Sequence, residues 1–121
     1  MTDEEILKRV YAAFNGRDIP GVLAFMHKDV VWPNGMEGGV VHGHEGVREY
    51  WTRQWKVVDP QVEPKAFQRD ADGRTTVSVY QVVKGMGGEL LLDRMVEHVY
   101  RIEDGLIRVM EIREVDIPVG S

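Results

Sequence analysis

The chain has 121 residues, a net charge of −5 and no cysteine. That length fits one domain, 1–121, and the composition excludes disulfides, thiolate chemistry and cysteine-ligated metals. The acidic balance, with no basic stripe carrying interleaved aromatics, speaks against a nucleic-acid partner. No apolar run approaches the roughly 20 residues that span a bilayer, and the acidic start MTDEEILKRV does not read as an export signal. No membrane partner is expected, and the expected setting is cytoplasmic.

Helical periodicity opens the chain. Ile6, Val10 and Phe14 recur every four residues, with Leu7 and Tyr11 beside them, which predicts a helix over 3–15. Thr2 and Glu5 have the spacing of a capping box, and Gly16 can end the helix. Asp18 then caps a shorter helix, with Pro20 in its first turn. Asp29-Val30-Val31-Trp32 reads as a short extended segment. PNGMEGGVVHG reads as a loop. Val47, Tyr50, Trp51 and Trp55 predict a third helix over 45–57, with Glu45 suited to its positive N-terminal end. Four strands follow, about 61–70, 74–84, 89–102 and 106–116, parted by Asp72-Gly73, a glycine-rich turn at 85–88 and Asp104-Gly105. Pro64 predicts an edge strand or a bulge in the first of them, and the length of the third predicts a bulge or bend. Helices first and strands after imply an α+β fold, with about three helices on the concave face of a curved antiparallel sheet.

Strand alternation places a cavity. Val96, His98, Tyr100 and Ile102 share one face of the third long strand, and Glu97, Arg101 and Glu103 fall on the other. Burying the charges would be costly, so the first set points inward, as do Met110 and Ile112 on the last strand. The expected cavity is mostly apolar, with His98 and Tyr100 as its polar groups.

The order helix, helix, Asp-Val-Val-Trp, glycine-rich loop, G-H-E-G-V-R-E-Y-W and the closing H-V-Y-R-I-E-D-G-L-I resembles the SnoaL-like pattern of the nuclear transport factor 2-like superfamily. The resemblance covers nearly the whole chain. It implies a cone-shaped α+β barrel and a homodimer formed through the outer sheet face. Members of this superfamily include polyketide cyclases, ketosteroid isomerases, limonene epoxide hydrolases and non-catalytic binding modules, and fold alone does not choose among them. The positions of the isomerases' tyrosine and two aspartates fall on Val10, Trp32 and His98. Those of the epoxide hydrolases' arginine and aspartates fall on Val82, Lys84 and Ile112, and the cyclases' aspartate also falls near Ile112. None matches.

These readings define the candidate site. His98 is the candidate general acid or base, since its ordinary pKa lies near neutrality. Trp32, Val10, Phe14, Tyr100, Met110 and Ile112 are the candidate binding residues for a small apolar or amphipathic molecule. Any reaction would be proton transfer without a cofactor. The alternative is a non-catalytic dimeric module. His42 and His44, near His27, are read as solvated loop histidines rather than metal ligands. Asp93 and Arg94 are read as a surface pair.

Overall fold

The computed structural model describes residues 1–115. Helix α1 is Asp3–Asn15, and it starts where the capping box lies: Thr2 accepts from the Glu5 N–H, while the Glu5 carboxylate reaches back to Thr2. Its stripe Ile6, Leu7, Val10 and Tyr11 is buried. Such burial stabilises by roughly 1.5–3 kcal/mol for each large apolar side chain. Helix α2, Ile19–Leu23, is capped by Asp18, which accepts from the Gly21 N–H.

The left-handed residue after α1 is not Gly16, which has φ −83°, but Arg17, with φ 61°. Positive φ strains a side chain with a Cβ. The Arg17 side chain explains why it stays there. Its guanidinium lies 4.9 Å from the Trp55 ring centre, donates to the Pro60 carbonyl at 2.7 Å and pairs with Asp59. Arg17→Ala should therefore lower stability by about 1–2 kcal/mol. An unchanged urea midpoint would show that these contacts contribute nothing.

The strands are β1 Met26–Pro33, β2 Val40–His42, β3 Val58–Arg69, β4 Thr75–Gly85, β5 Leu90–Glu103 and β6 Leu106–Glu114, with helix α3, Gly43–Val57, between β2 and β3. They form one curved sheet in the order β2-β1-β6-β5-β4-β3. Two features depart from the reading of the sequence. The segment read as a loop contains β2, a three-residue edge strand paired with Val31–Pro33 and too short to show a periodicity. The extended segment is a full strand, and it joins β6 in parallel. Position 116, placed in the last strand by the sequence reading, lies outside the described residues.

The curvature has local causes. The β3–β4 register shifts between Pro64 and Ala66, on the edge strand, where a residue without an N–H costs no ladder bond. Further shifts fall between Val83 and Lys84 against β5, and between Arg101 and Ile102 against β6. Each bulge bends and twists the long strands, so the sheet wraps round the helices. Asn15 closes the outer edge of β3 by exchanging two hydrogen bonds with the Val62 backbone, at 2.7 and 3.0 Å. His44 bonds the Met26 carbonyl at 2.9 Å and ties the start of α3 to β1. Among the described residues, no helix is long and apolar enough to cross a membrane.

Candidate binding site

One sheet face points at the helices, and the register defines it residue by residue. His98 lies opposite Val77 and Ile112, Tyr100 opposite Thr75 and Met110, and Arg94 opposite Gln81. Helices α1 and α3 cover this face with aromatic rings. Trp51 of α3 meets Phe14 and Trp32 edge-on, at centroid distances of 5.3 and 5.5 Å, and stacks on Trp55 at 5.5 Å. Edge-on geometry sets the positive rim of one ring against the negative face of the next.

Two spaces with walls in common remain inside the cone. A hollow of about 30 Å³ is walled by Val10, Tyr11, Phe14, Val22, Trp32, Trp51, Val62 and Tyr100. It is almost wholly apolar apart from the two tyrosines. A mouth of about 260 Å³ shares Phe14, Trp32, Trp51 and Val62 with the hollow and adds Tyr50, Gln54, Gln81, Leu92, Arg94 and Ile112, among others. A roomier opening, about 460 Å³, is an open groove along α1 and the β3 edge. Lys8, Asn15, Gln61, Glu63 and Tyr80 line it beside Tyr11 and Val62, and it lacks the box of aromatic rings that walls the cone, which makes the cone the better site for an apolar ring.

At the inner end a buried polar chain crosses from strand to helix. The Tyr100 O–H donates to Tyr11 Oη at 2.8 Å, and Tyr11 Oη lies 2.8 Å from His98 Nδ1. Two proton arrangements fit these distances: Tyr11 donates to a bare Nδ1, or Nδ1–H donates to Tyr11, whose own O–H is then free to point into the hollow. Burial holds the imidazole neutral by lowering its pKa to about 4. The same burial pushes both phenols up, so they keep their protons. The trio therefore offers hydrogen bonds and no charge at neutral pH.

The sequence candidates fall into three places. Val10, Phe14, Trp32 and Tyr100 wall the inner hollow. Ile112 stands at the mouth, 39% exposed. Met110 and His98 are buried but stand in the wall of neither space. His98, at 6% exposure, sits behind Tyr11 and Tyr100 and reaches the hollow only through them. Tyr11 is the residue the sequence reading passed over. The signal was a tyrosine inside an apolar helical stripe, since a buried phenol needs a partner. Arg94, read as a surface residue, lies in the mouth. Among the described residues, no group of three or more histidine, aspartate or glutamate side chains is placed to hold a metal ion.

A curved sheet wrapped round three helices, with an apolar cone open at one end, defines the nuclear transport factor 2-like class of domain. The SnoaL-like domain family matches residues 7–110, and the chain belongs to that family. No curated protein matches it. Among solved structures it is similar to a nuclear transport factor 2-like protein of unknown function from Burkholderia pseudomallei, with 28% identity, 95% of this chain and 92% of that chain covered, and a TM-score of 0.82. It is 30% identical to TerC, crystallised with polyporic acid, over 92% of this chain and 89% of that one, with a TM-score of 0.80. It shares the fold of a Mycobacterium tuberculosis protein in complex with estradiol-17beta-hemisuccinate, at 19% identity, 87% coverage of both chains and a TM-score of 0.74.

Proposed function

We propose that the cone binds a small apolar or amphipathic ring compound, its ring against Phe14, Trp32 and Trp51 and an oxygen on the Tyr11–Tyr100 pair. The observation that carries this reading is the buried trio itself. With Nδ1–H and the Tyr100 O–H both donating to Tyr11 Oη, the Tyr11 O–H is free to donate to a ligand oxygen, for which the hollow of about 30 Å³ has room while the ring stays in the wider mouth. The polyporic acid and estradiol-17beta-hemisuccinate complexes of the two relatives support a small organic ligand for this chain too.

The chemistry such a site supports is cofactor-free proton transfer or enolate stabilisation, of isomerase, cyclase or hydrolase type. Tyr11 would be the group at the ligand, and His98 would position it. A second reading, a non-catalytic binding module dimerised through the outer sheet face, has its own support. Among the described residues, no aspartate, glutamate or histidine stands in either cone wall.

A thermal-shift screen with polyporic acid, estradiol hemisuccinate and aromatic polyketides tests binding. A ligand that binds only the native state raises the melting temperature by mass action. Flat curves throughout would end the binding reading. Tyr11→Phe separates the two roles. It leaves the Tyr100 O–H and His98 Nδ1 without their partner, so stability should fall by about 1–3 kcal/mol. Any turnover should fall further than affinity. Turnover surviving intact would remove Tyr11 from the chemistry, and sedimentation of the wild type as a monomer would remove the dimer.

A further inference from the structure

Among the described residues, Arg94 is the one charged side chain in the wall of the mouth, and its placement says something about the ligand. Arg94 occupies the inward face of β5, with Leu92 and Val96 before and after it on the same face. Its side chain is 42% exposed, so the guanidinium reaches solvent at the rim of the mouth. Among the described residues its polar partners are Gln81 Oε1, 3.4 Å from Nε, and Glu114 Oε1, 3.4 Å from Nη1. Both contacts are at the long limit for a hydrogen bond. The Glu114 side chain is 81% exposed, so this ion pair contributes little and breaks cheaply.

The amide of Gln54, across the mouth, adds a second open position. Its Nε2 donates to Tyr50 Oη at 3.1 Å, and its Oε1, an acceptor, is buried with no partner among the described residues. Exchanging the amide's oxygen and nitrogen would change which kind of group is open, not that one is.

We infer that the cone takes an acidic ligand, whose carboxylate or comparably ionised oxygen sits on Arg94 while its apolar ring lies in the mouth against Phe14, Trp32 and Trp51. This rests on the cone being the binding site. The planar guanidinium presents parallel donors that match a carboxylate, and the loosely held Glu114 gives way to the ligand's own acid. The chain is acidic as a whole, so without Arg94 the mouth would repel such a molecule.

The test pairs 2-naphthoate with its neutral isostere 2-naphthamide, titrated at pH 7 by tryptophan quenching. The wild type should prefer the acid by about tenfold, the size of one charge-assisted hydrogen bond. In Arg94→Gln that preference should collapse to within about twofold, while amide binding stays. Glu114→Gln removes the internal competitor and should keep or raise the acid's advantage. Equal binding of the two probes by the wild type, or a preference that survives Arg94→Gln, overturns the inference and leaves the cone reading standing. Binding of neither probe overturns the cone reading and this inference with it.

Discussion

Trp51→Ala is expected to lower the unfolding free energy by about 3–5 kcal/mol, the usual cost of truncating a buried tryptophan. Trp51 is 1% exposed and touches Phe14, Trp32 and Trp55 at once. Truncation removes both its transfer energy and the contacts of three neighbouring rings, which are fixed by their own backbones and can close the gap only partly. For a domain whose total stability is on the order of 5–15 kcal/mol this is a large fraction. The substitution also has a functional reading, because Trp51 walls both the hollow and the mouth. Removing the ring merges them into one larger apolar cavity. Indole should therefore bind the variant and restore part of its stability, as an apolar void accepts the group that was cut away. Chemical denaturation with and without indole measures both effects. A loss under about 1 kcal/mol, or no response to indole, would mean that the aromatic box is not packed as described.

Acidification should unmask His98. Its pKa is lowered by burial to about 4 in the folded chain, against about 6.5 for an unperturbed histidine. Between those values the unfolded chain binds a proton that the folded chain refuses. The stabilising difference is therefore whole above about pH 6.5 and is lost as pH falls toward 4. The slope is about 1.4 kcal/mol per pH unit and the full loss is about 3 kcal/mol. Carboxylates held low by hydrogen bonds, Glu37 and Asp72 among them, also protonate in acid and destabilise the fold. The measurement is thus a difference of differences. Unfolding free energies of wild type and His98→Asn are compared at pH 7 and pH 4.5, where the asparagine oxygen can still accept from Tyr11 without titrating. The wild type should lose about 2–3 kcal/mol more than the variant. Parallel profiles would mean that the imidazole is solvated, and that the Tyr11–His98 contact does not hold in solution.

How much of the site could be read from the sequence differs by residue, and the reasons are physical. Phe14 and Val10 were legible because a helix repeats every 3.6 residues and shows its buried stripe in one dimension. His98 and Tyr100 were legible as inward residues because a strand alternates, and the charges opposite them must face water. That His98 stands behind Tyr11, rather than on the cavity wall, was not legible. The two residues are 87 positions apart, and only the packing of α1 across β5 brings them to 2.8 Å. Arg94 misled for a related reason. Local pattern treats a charge on a strand as solvent-facing, whereas this one follows the inward parity of β5 and stays 42% exposed at the rim of the mouth.

By itself the sequence determined the elements, their caps and turns, the bulge at Pro64 and which face of each long strand is apolar. These follow from local dihedral preference, period and charge, all of which act within a few residues. Only the tertiary structure decided that β1 joins β6 in parallel, that β2 exists at the sheet edge, that Arg17 rather than Gly16 takes the left-handed turn, and that the polar floor of the cone is a trio led by Tyr11. Each depends on partners distant in the chain, whose contribution appears only when the sheet has curled and desolvated them together.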